Sequence, residues 1–230
     1  MTLFKKSICF VWACFLLFGD KETVAEHQGQ NAENDQVFPF ALNNSTNYED
    51  FIFLEGVFTP EECKKIINLG TSLGLTSGET GHELESNENI KIRKSKISWI
   101  HWNEETGWIF QRLYELTLKV NKEHYQFDLF GFYEKIQFTE YTSPDSHYTW
   151  HIDGGNKEFS TRKLSIVVQL SDPKDYEGGT FQVFTDDTYS IDKKQGAATF
   201  FPSYNSHRVT PITKGKRYTL VIWVNGPPFR

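Results

Sequence analysis

The sequence predicts a mainly β protein: a double-sheet sandwich or jelly roll, with two helices laid on its outer face. Two observations carry this. After Tyr125 the chain reads as a succession of short strand-like runs (127–141, 164–170, 180–184, 197–201, 207–211 and 218–224) separated by turn signals. The composition is rich in residues that suit pleated, half-buried surfaces, with 20 Phe, 10 Tyr and 6 Trp in 230 residues. Many short strands with few helices between them is the pattern of a closed or double-layered sheet.

The elements follow in chain order. Lys5 and Lys6 precede an apolar run at 7–19, shorter than the roughly 20 residues a membrane span needs. Thr23-Val24-Ala25 places small residues where a signal peptidase cuts. Residues 1–25 therefore read as a secretory signal, with a retained short anchor or a soluble N-terminus as the alternatives. The expected destination is the secretory pathway, or the cytoplasm if the segment is not a true signal, and no stable membrane span is expected. Cleavage would remove Cys9 and Cys14 and leave Cys63 alone, so cysteine usage does not fix the compartment. Residues 26–47, rich in Asn, Gln and Glu, read as a flexible linker. Two overlapping N-glycosylation patterns begin at Asn43 and Asn44.

The folded domain is expected over 48–230. Residues 51–58 alternate as a strand. Thr59-Pro60-Glu61-Glu62 is a helix start, with a capping Thr, Pro at the first helical position and Glu three residues after the cap. Gly70 is its expected stop. The polar stretch 76–89 reads as a loop. A second helix is expected from Glu104, capped by Asn103, to Val120, with Ile109, Leu113, Leu116 and Val120 on one face.

The chemistry lies further on. His151-Ile152-Asp153 sits in YTWHIDGG, and His207 follows Asp153 by 54 residues. Two histidines and one carboxylate are the set that holds non-haem Fe(II) with positions left open. On a strand, residues two apart share a face, so His151 and Asp153 can address one metal. Arg217 lies ten residues beyond His207 and shares strand parity with Thr219, Val221 and Trp223. An inward Arg on an apolar strand is costly unless it meets an anion, which a guanidinium binds through two parallel hydrogen bonds. Snorkelling to solvent or pairing with a protein acid are the alternatives. Five basic and no acidic residues in 201–230 read either as turn and terminal charges or as a field for an anionic cosubstrate. His147, four residues before His151, opens a zinc-hydrolase reading on His147, His151 and His207. The β pattern around Pro144 speaks against the helix that this spacing needs. The net charge of −6 argues against a nucleic-acid partner.

The runs RKLSIVVQLSDP, YEGGTFQV and AATFFPSYNSHRVTPITKGKRYTLVIWVNGPPFR, taken in this order, resemble the Fe(II)/2-oxoglutarate dioxygenases of the prolyl 4-hydroxylase superfamily, and most closely the PKHD-type hydroxylases. The resemblance is good from 127 onward and looser over 51–120. It implies a double-stranded β-helix, cupin-like, with its dioxygenase core at about 132–226. It implies iron on His151, Asp153 and His207, and the distal carboxylate of 2-oxoglutarate on Arg217. Tyr141, ten residues before the first ligand, stands where a tyrosine helps bind the cosubstrate, and Gln169 stands where some relatives carry another. Ser165, Val167 and Gln169 alternate along one strand face of the same pocket. The implied reaction consumes O₂ and 2-oxoglutarate, releases succinate and CO₂ and hydroxylates a C–H bond, with ascorbate as a further cofactor. Its substrate would be a peptide or protein side chain, prolyl among the options, or a small molecule. A cupin-like binding module without activity is the competing reading. The sequence leaves the oligomeric state open.

Overall fold

The computed structural model describes residues 49–78, 91–155 and 157–228. The signal, linker and sequon assignments, and most of the 76–89 loop, lie outside the described residues. In chain order the elements are β1 (Ile52–Leu54), α1 (Pro60–Ser72), β2 (Thr76–Ser77), β3 (Arg93–Lys94), β4 (Lys96–Ile100), α2 (Gly107–Val120), β5 (Ile136–Thr142) and β6 (His147–His151). They continue with β7 (Arg162–Gln169), β8 (Tyr176–Gly178), β9 (Phe181–Phe184), β10 (Thr188–Ser190), β11 (Ala198–Pro202), β12 (Ser206–Val209) and β13 (Ile212–Asn225).

One sheet runs β1-β11-β7-β13-β5-β4-β2, with β8 paired to the start of β13, and the other runs β10-β9-β12-β6-β3. All these pairings are antiparallel. From β5 onward the chain passes back and forth between the two sheets, as in a jelly roll.

Two apolar cores follow from strand parity. One face of the larger sheet presents Phe138, Leu164, Ile166, Val168, Phe200, Leu220 and Ile222 to the helices, which return Cys63, Ile66, Ile109 and Leu113. The other face supplies Tyr141, Val167 and Phe201 to a core shared with Phe181, Val183 and Val209 of the smaller sheet. The first core makes the molecule stable; the second borders the cavity end where the site forms.

The start of α1 is as the sequence implies. Glu62 N donates to Thr59 Oγ1 at 3.2 Å, and Glu62 Oε2 accepts from Thr59 N at 2.9 Å. Arg112 of α2 grips the same carboxylate through both oxygens, at 2.6 and 2.9 Å, and donates to Val57 O at 3.2 Å. That fork pins the two helices together.

Several element boundaries differ from expectation. Strand β1 covers only 52–54 of the expected 51–58, because the chain turns at Gly56 with φ +66°. Helix α2 starts at Gly107, three residues after Glu104. Asn103 Oδ1 accepts from the amides of Glu105 and Thr106 and closes a turn ahead of the helix instead. Strand β5 begins at Ile136, so 127–135 is an irregular approach to it and not a strand. Strand β4, unassigned by sequence, pairs with β5, and Thr76–Ser77 pairs in turn with β4.

Gly70 does not stop α1, which continues to Ser72. A Cβ at this position would lie 2.3 Å from the ring of Phe138, and the Gly70 carbonyl accepts from Ser98 Oγ at 2.6 Å. The glycine is there for close helix–sheet approach. Gly70→Ala is expected to lower stability by about 1–3 kcal/mol despite its better helix propensity, because the buried ring has no room to withdraw. Urea denaturation reads this directly, and an unchanged midpoint would refute the packing role.

Candidate active site

His151 is the last residue of β6, and His207 sits on β12 directly opposite it in register. Asp153 lies just beyond the strand, in a bend, and not on the strand as simple alternation requires. What aims it inward is backbone: Asp153 N and Gly154 N both donate to Ser203 O, at 3.0 and 2.8 Å. Asp153 and His207 are buried, and one ligand atom from each of the three residues falls within a sphere in which all lie within 4.8 Å of one another. The His207 Nε2–Asp153 Oδ2 distance is 3.4 Å and the His151 Nε2–Asp153 Oδ1 distance 3.8 Å. Neighbouring ligand atoms on one face of a metal with bonds of ~2.1 Å would be about 3 Å apart.

The tautomers are determined by chemistry. His151 Nδ1 faces Thr149 O at 2.7 Å, and His207 Nδ1 faces Asn205 O at 3.0 Å. A carbonyl can only accept, so each Nδ1 carries the proton and each Nε2 presents its lone pair to the centre. Burial, reinforced by the adjacent His207, pushes the His151 imidazolium down to about 3, so the ring stays neutral. Burial alone would raise Asp153, but the positive charge that the flanking imidazoles can take up, together with the Ser165 hydroxyl, outweighs it and holds the carboxyl below its usual range. Ser165 Oγ reaches Asp153 Oδ2 at 2.7 Å and Ser203 Oγ at 2.9 Å. The donor set therefore fits a divalent metal with open positions, and the imidazole and carboxylate ligands suit Fe(II).

Arg217, on β13, is 2% exposed. Its Nε donates to Gln169 Oε1 at 3.0 Å, and its guanidinium lies 5.5 Å from the centre of the Tyr141 ring, its register partner on β5. Among the described residues it makes no ion pair. A buried cation hydrogen-bonded to a neutral amide, without an ion pair among the described residues, would be stabilised by an anion. Arg217, Tyr141 and Gln169 thus stand together, as do His151, Asp153 and His207. Strand β7 links the two groups: Ser165 touches Asp153, Gln169 touches Arg217, and Val167 lies between them on the same face. Four residues of strand span about 13 Å.

His147 does not join the cluster. Its two ring nitrogens face Asp145 O at 2.7 Å and Lys91 O at 3.0 Å, so the His147/His151/His207 zinc set does not form. Trp99, Trp102 and Trp150 are exposed rather than core, and Trp99 sits 6.4 Å from Trp223 at the rim. Tyr148 stacks on His151 with ring centres 3.4 Å apart, and the Arg93 guanidinium covers its other side at 4.7 Å. Sequence reasoning did not find Ser203, or Arg162, which donates to Asp153 O at 3.3 Å, ion-pairs with Glu134 and lies 3.7 Å from the Trp223 ring centre. Ser203 acts mainly through its carbonyl, which leaves no mark in sequence. Arg162 had one signal, a charge opening an otherwise buried strand.

A jelly roll with two imidazoles and a carboxylate brought together, and a buried arginine on a neighbouring strand, carries a donor set that suits a divalent metal and a cation that suits an anion. Residues 136–225 match the 2OG-Fe(II) oxygenase superfamily. A PKHD-type hydroxylase of Synechococcus sp. (strain CC9605) is 35% identical over 85 residues, covering 36% of this chain and 38% of that protein. One from Klebsiella pneumoniae is 27% identical over 161 residues, 65% of each. The matched segments thus cover less than two thirds of these relatives. Among solved structures, a Trichoplax adhaerens prolyl hydroxylase, in complex with a hypoxia inducible factor peptide fragment, superposes with a TM-score of 0.64. It has 21% identity and covers 77% of this chain and 84% of that one. A Pseudomonas putida prolyl-4-hydroxylase gives 0.61 at 20% identity, covering 77% and 93%. The structural likeness establishes the fold. In sequence the chain is similar, over its C-terminal half, to 2OG-Fe(II) oxygenases, PKHD-type hydroxylases among them.

His151→Ala and Asp153→Ala are each expected to abolish Fe(II) binding in an anaerobic titration. Arg217→Ala is expected to keep the metal and weaken 2-oxoglutarate binding by about 10–100-fold, the loss of a charged, buried hydrogen-bond pair. Unchanged 2-oxoglutarate affinity in that variant would overturn the role of Arg217.

Proposed function

We propose that the chain is an Fe(II)- and 2-oxoglutarate-dependent dioxygenase that hydroxylates a C–H bond of a peptide or protein side chain, with prolyl residues the first class to test. The observation that carries this reading is the pairing, in one pocket, of the His151–Asp153–His207 set with a buried Arg217 that lacks a carboxylate partner among the described residues. Iron held there would supply the redox chemistry that couples decarboxylation of 2-oxoglutarate, giving succinate and CO₂, to oxygen insertion into the substrate.

The protein's own contribution is orientation and dryness. Both histidines are locked by their Nδ1–H bonds, and Asp153 by Ser203 O and Ser165. Arg217 fixes the far end of the cosubstrate, so that its 2-oxo acid end is presented to the metal. Phe181 and Phe201 pack edge-on against His207, with ring centres 5.9 and 4.8 Å away, and keep water from that side. Asp153 occupies the place that would otherwise be open to a halide, which favours hydroxylation over halogenation. The rim favours a polypeptide substrate: Trp150 and Ile152 flank His151 and are 38% and 51% exposed, and the Trichoplax neighbour holds a peptide. Ascorbate, which returns oxidised iron to Fe(II) in relatives, is part of the proposal by resemblance. So is secretory delivery, which rests on the charged and apolar residues at 5–25.

The test is succinate release from Fe(II), 2-oxoglutarate and a panel of proline-containing peptides, other peptides and small molecules, with mass spectrometry of the products. Expected is succinate formation that depends on both iron and 2-oxoglutarate, together with a product one oxygen atom heavier. Iron-loaded protein that binds 2-oxoglutarate but never forms succinate would establish a binding module instead.

A further inference from the structure

The YEGG run contributes one more residue to the pocket. Tyr176 opens β8, pairs with Gly215 of β13, and is 3% exposed. The two glycines hold it there. A Cβ on Gly178 would lie 2.2 Å from Pro211 O, and one on Gly179 would lie 2.2 Å from the Ile212 side chain and 3.2 Å from Arg217 Cδ. Both have positive φ. The turn therefore passes close against the strand that carries Arg217.

The hydrogen bonds around Tyr176 can be assigned from donor and acceptor chemistry. Arg217 has no acceptor, so the Gln169 atom 3.0 Å from its Nε is the amide oxygen. Gln169 Nε2 is then directed at Ser171 O, at 3.2 Å, and at the Tyr176 hydroxyl oxygen, at 3.0 Å. An amide nitrogen only donates, so the tyrosine oxygen accepts. The positive charge of Arg217 also bears on that hydroxyl and favours its ionised form. Lys193, the third neighbour, places its ammonium 4.9 Å from the centre of the Tyr176 ring and donates to Gly178 O. Gln169 Nε2, Arg217 and Lys193 are all donors, and none can take the phenolic proton. Burial raises the phenol, outweighing Arg217, so the proton is present at neutral pH.

We infer that Tyr176 is a cosubstrate-binding residue, which donates its hydroxyl proton to the distal carboxylate that Arg217 holds; this rests on reading the pocket as a 2-oxoglutarate site. Gln169 then acts as a positioning residue. Its oxygen accepts from Arg217, and its two N–H donors are directed at Ser171 O and the Tyr176 hydroxyl oxygen. The end of the pocket recognises a carboxylate by a guanidinium and a phenol set at an angle fixed by one amide. A 2-oxo acid without the second carboxylate gains nothing from either.

Calorimetry on the full chain loaded with redox-inert Mn(II) tests this, using 2-oxoglutarate and 2-oxobutyrate, which lacks the distal carboxylate. Tyr176→Phe removes one oxygen and keeps the ring, so Mn(II) affinity and the thermal midpoint serve as controls for metal site and fold. The expected result is 2-oxoglutarate binding weakened about tenfold or more, with 2-oxobutyrate binding unchanged. No loss, or an equal loss for both ligands, overturns the role of Tyr176. Wild-type protein that fails to prefer 2-oxoglutarate over 2-oxobutyrate would overturn the reading of the pocket itself.

Discussion

The site depends on the register in which β7, β13 and β5 pair. Trp223 lies opposite Ser165, Val221 opposite Val167, Thr219 opposite Gln169, and Arg217 opposite Tyr141. All of these face the pocket. The residues between them, Leu164, Ile166, Val168, Leu220, Ile222 and Val224, face the helices and are almost wholly buried. A slip of one residue would send the serine, glutamine and arginine into the apolar core and the leucines and isoleucines into the pocket. The hydrophobic core therefore sets the site's geometry. The helices, although they contribute no functional group, fix which face of the sheet is left for chemistry.

The smaller sheet meets this frame at one point that matters for the metal. Ser203 O accepts two backbone amides from the 153–154 bend, and its hydroxyl reaches Ser165 of the larger sheet. His207 follows four residues later on β12, opposite His151. One short segment between β11 and β12 thus joins the carboxylate ligand to both histidines and to β7. The metal ligands come from two separated stretches of chain, but they are tied to each other through a few polar atoms before any metal is bound. This is the preorganisation that a tight, oriented metal site requires.

The sequence made the mean architecture legible because parity and turn signals are local. The capping box at Thr59 was readable for the same reason, and so were the ligands, since His-x-Asp, a later His and an inward Arg can be counted along the chain. What it hid was non-local. Gly70 reads as a helix stop until Phe138 is seen beneath it. Asp153 reads as a strand residue until the Ser203 carbonyl is seen to bend the chain. The expected strand over 127–141 failed at its first half because 127–135 pairs only through the single bridge of Gly131 to Asn225. The roles of Tyr141 and Gln169 came from resemblance, and no spacing rule would have placed them beside Arg217.

The charge distribution shows what this arrangement costs. The metal end concentrates a buried carboxylate among neutral imidazoles, and the other end buries a guanidinium without an ion pair among the described residues. Elsewhere the protein pairs its partly buried charges: Arg112 with Glu62, Arg162 with Glu134, Lys216 with Glu140. The buried Asp153 carboxylate and the buried Arg217 guanidinium lie where ligands of opposite charge would sit, a cation at one end and a dicarboxylate at the other. Buried, unmatched charge destabilises a fold, by several kcal/mol per ion before relaxation. A cation and a 2-oxo dicarboxylate would neutralise both ends at once and bridge them. Binding energy would then include the relief of that electrostatic cost. It follows that metal and cosubstrate should favour each other's binding even without direct contact between Arg217 and the metal, because each removes a charge that the other end's ligand would otherwise face alone.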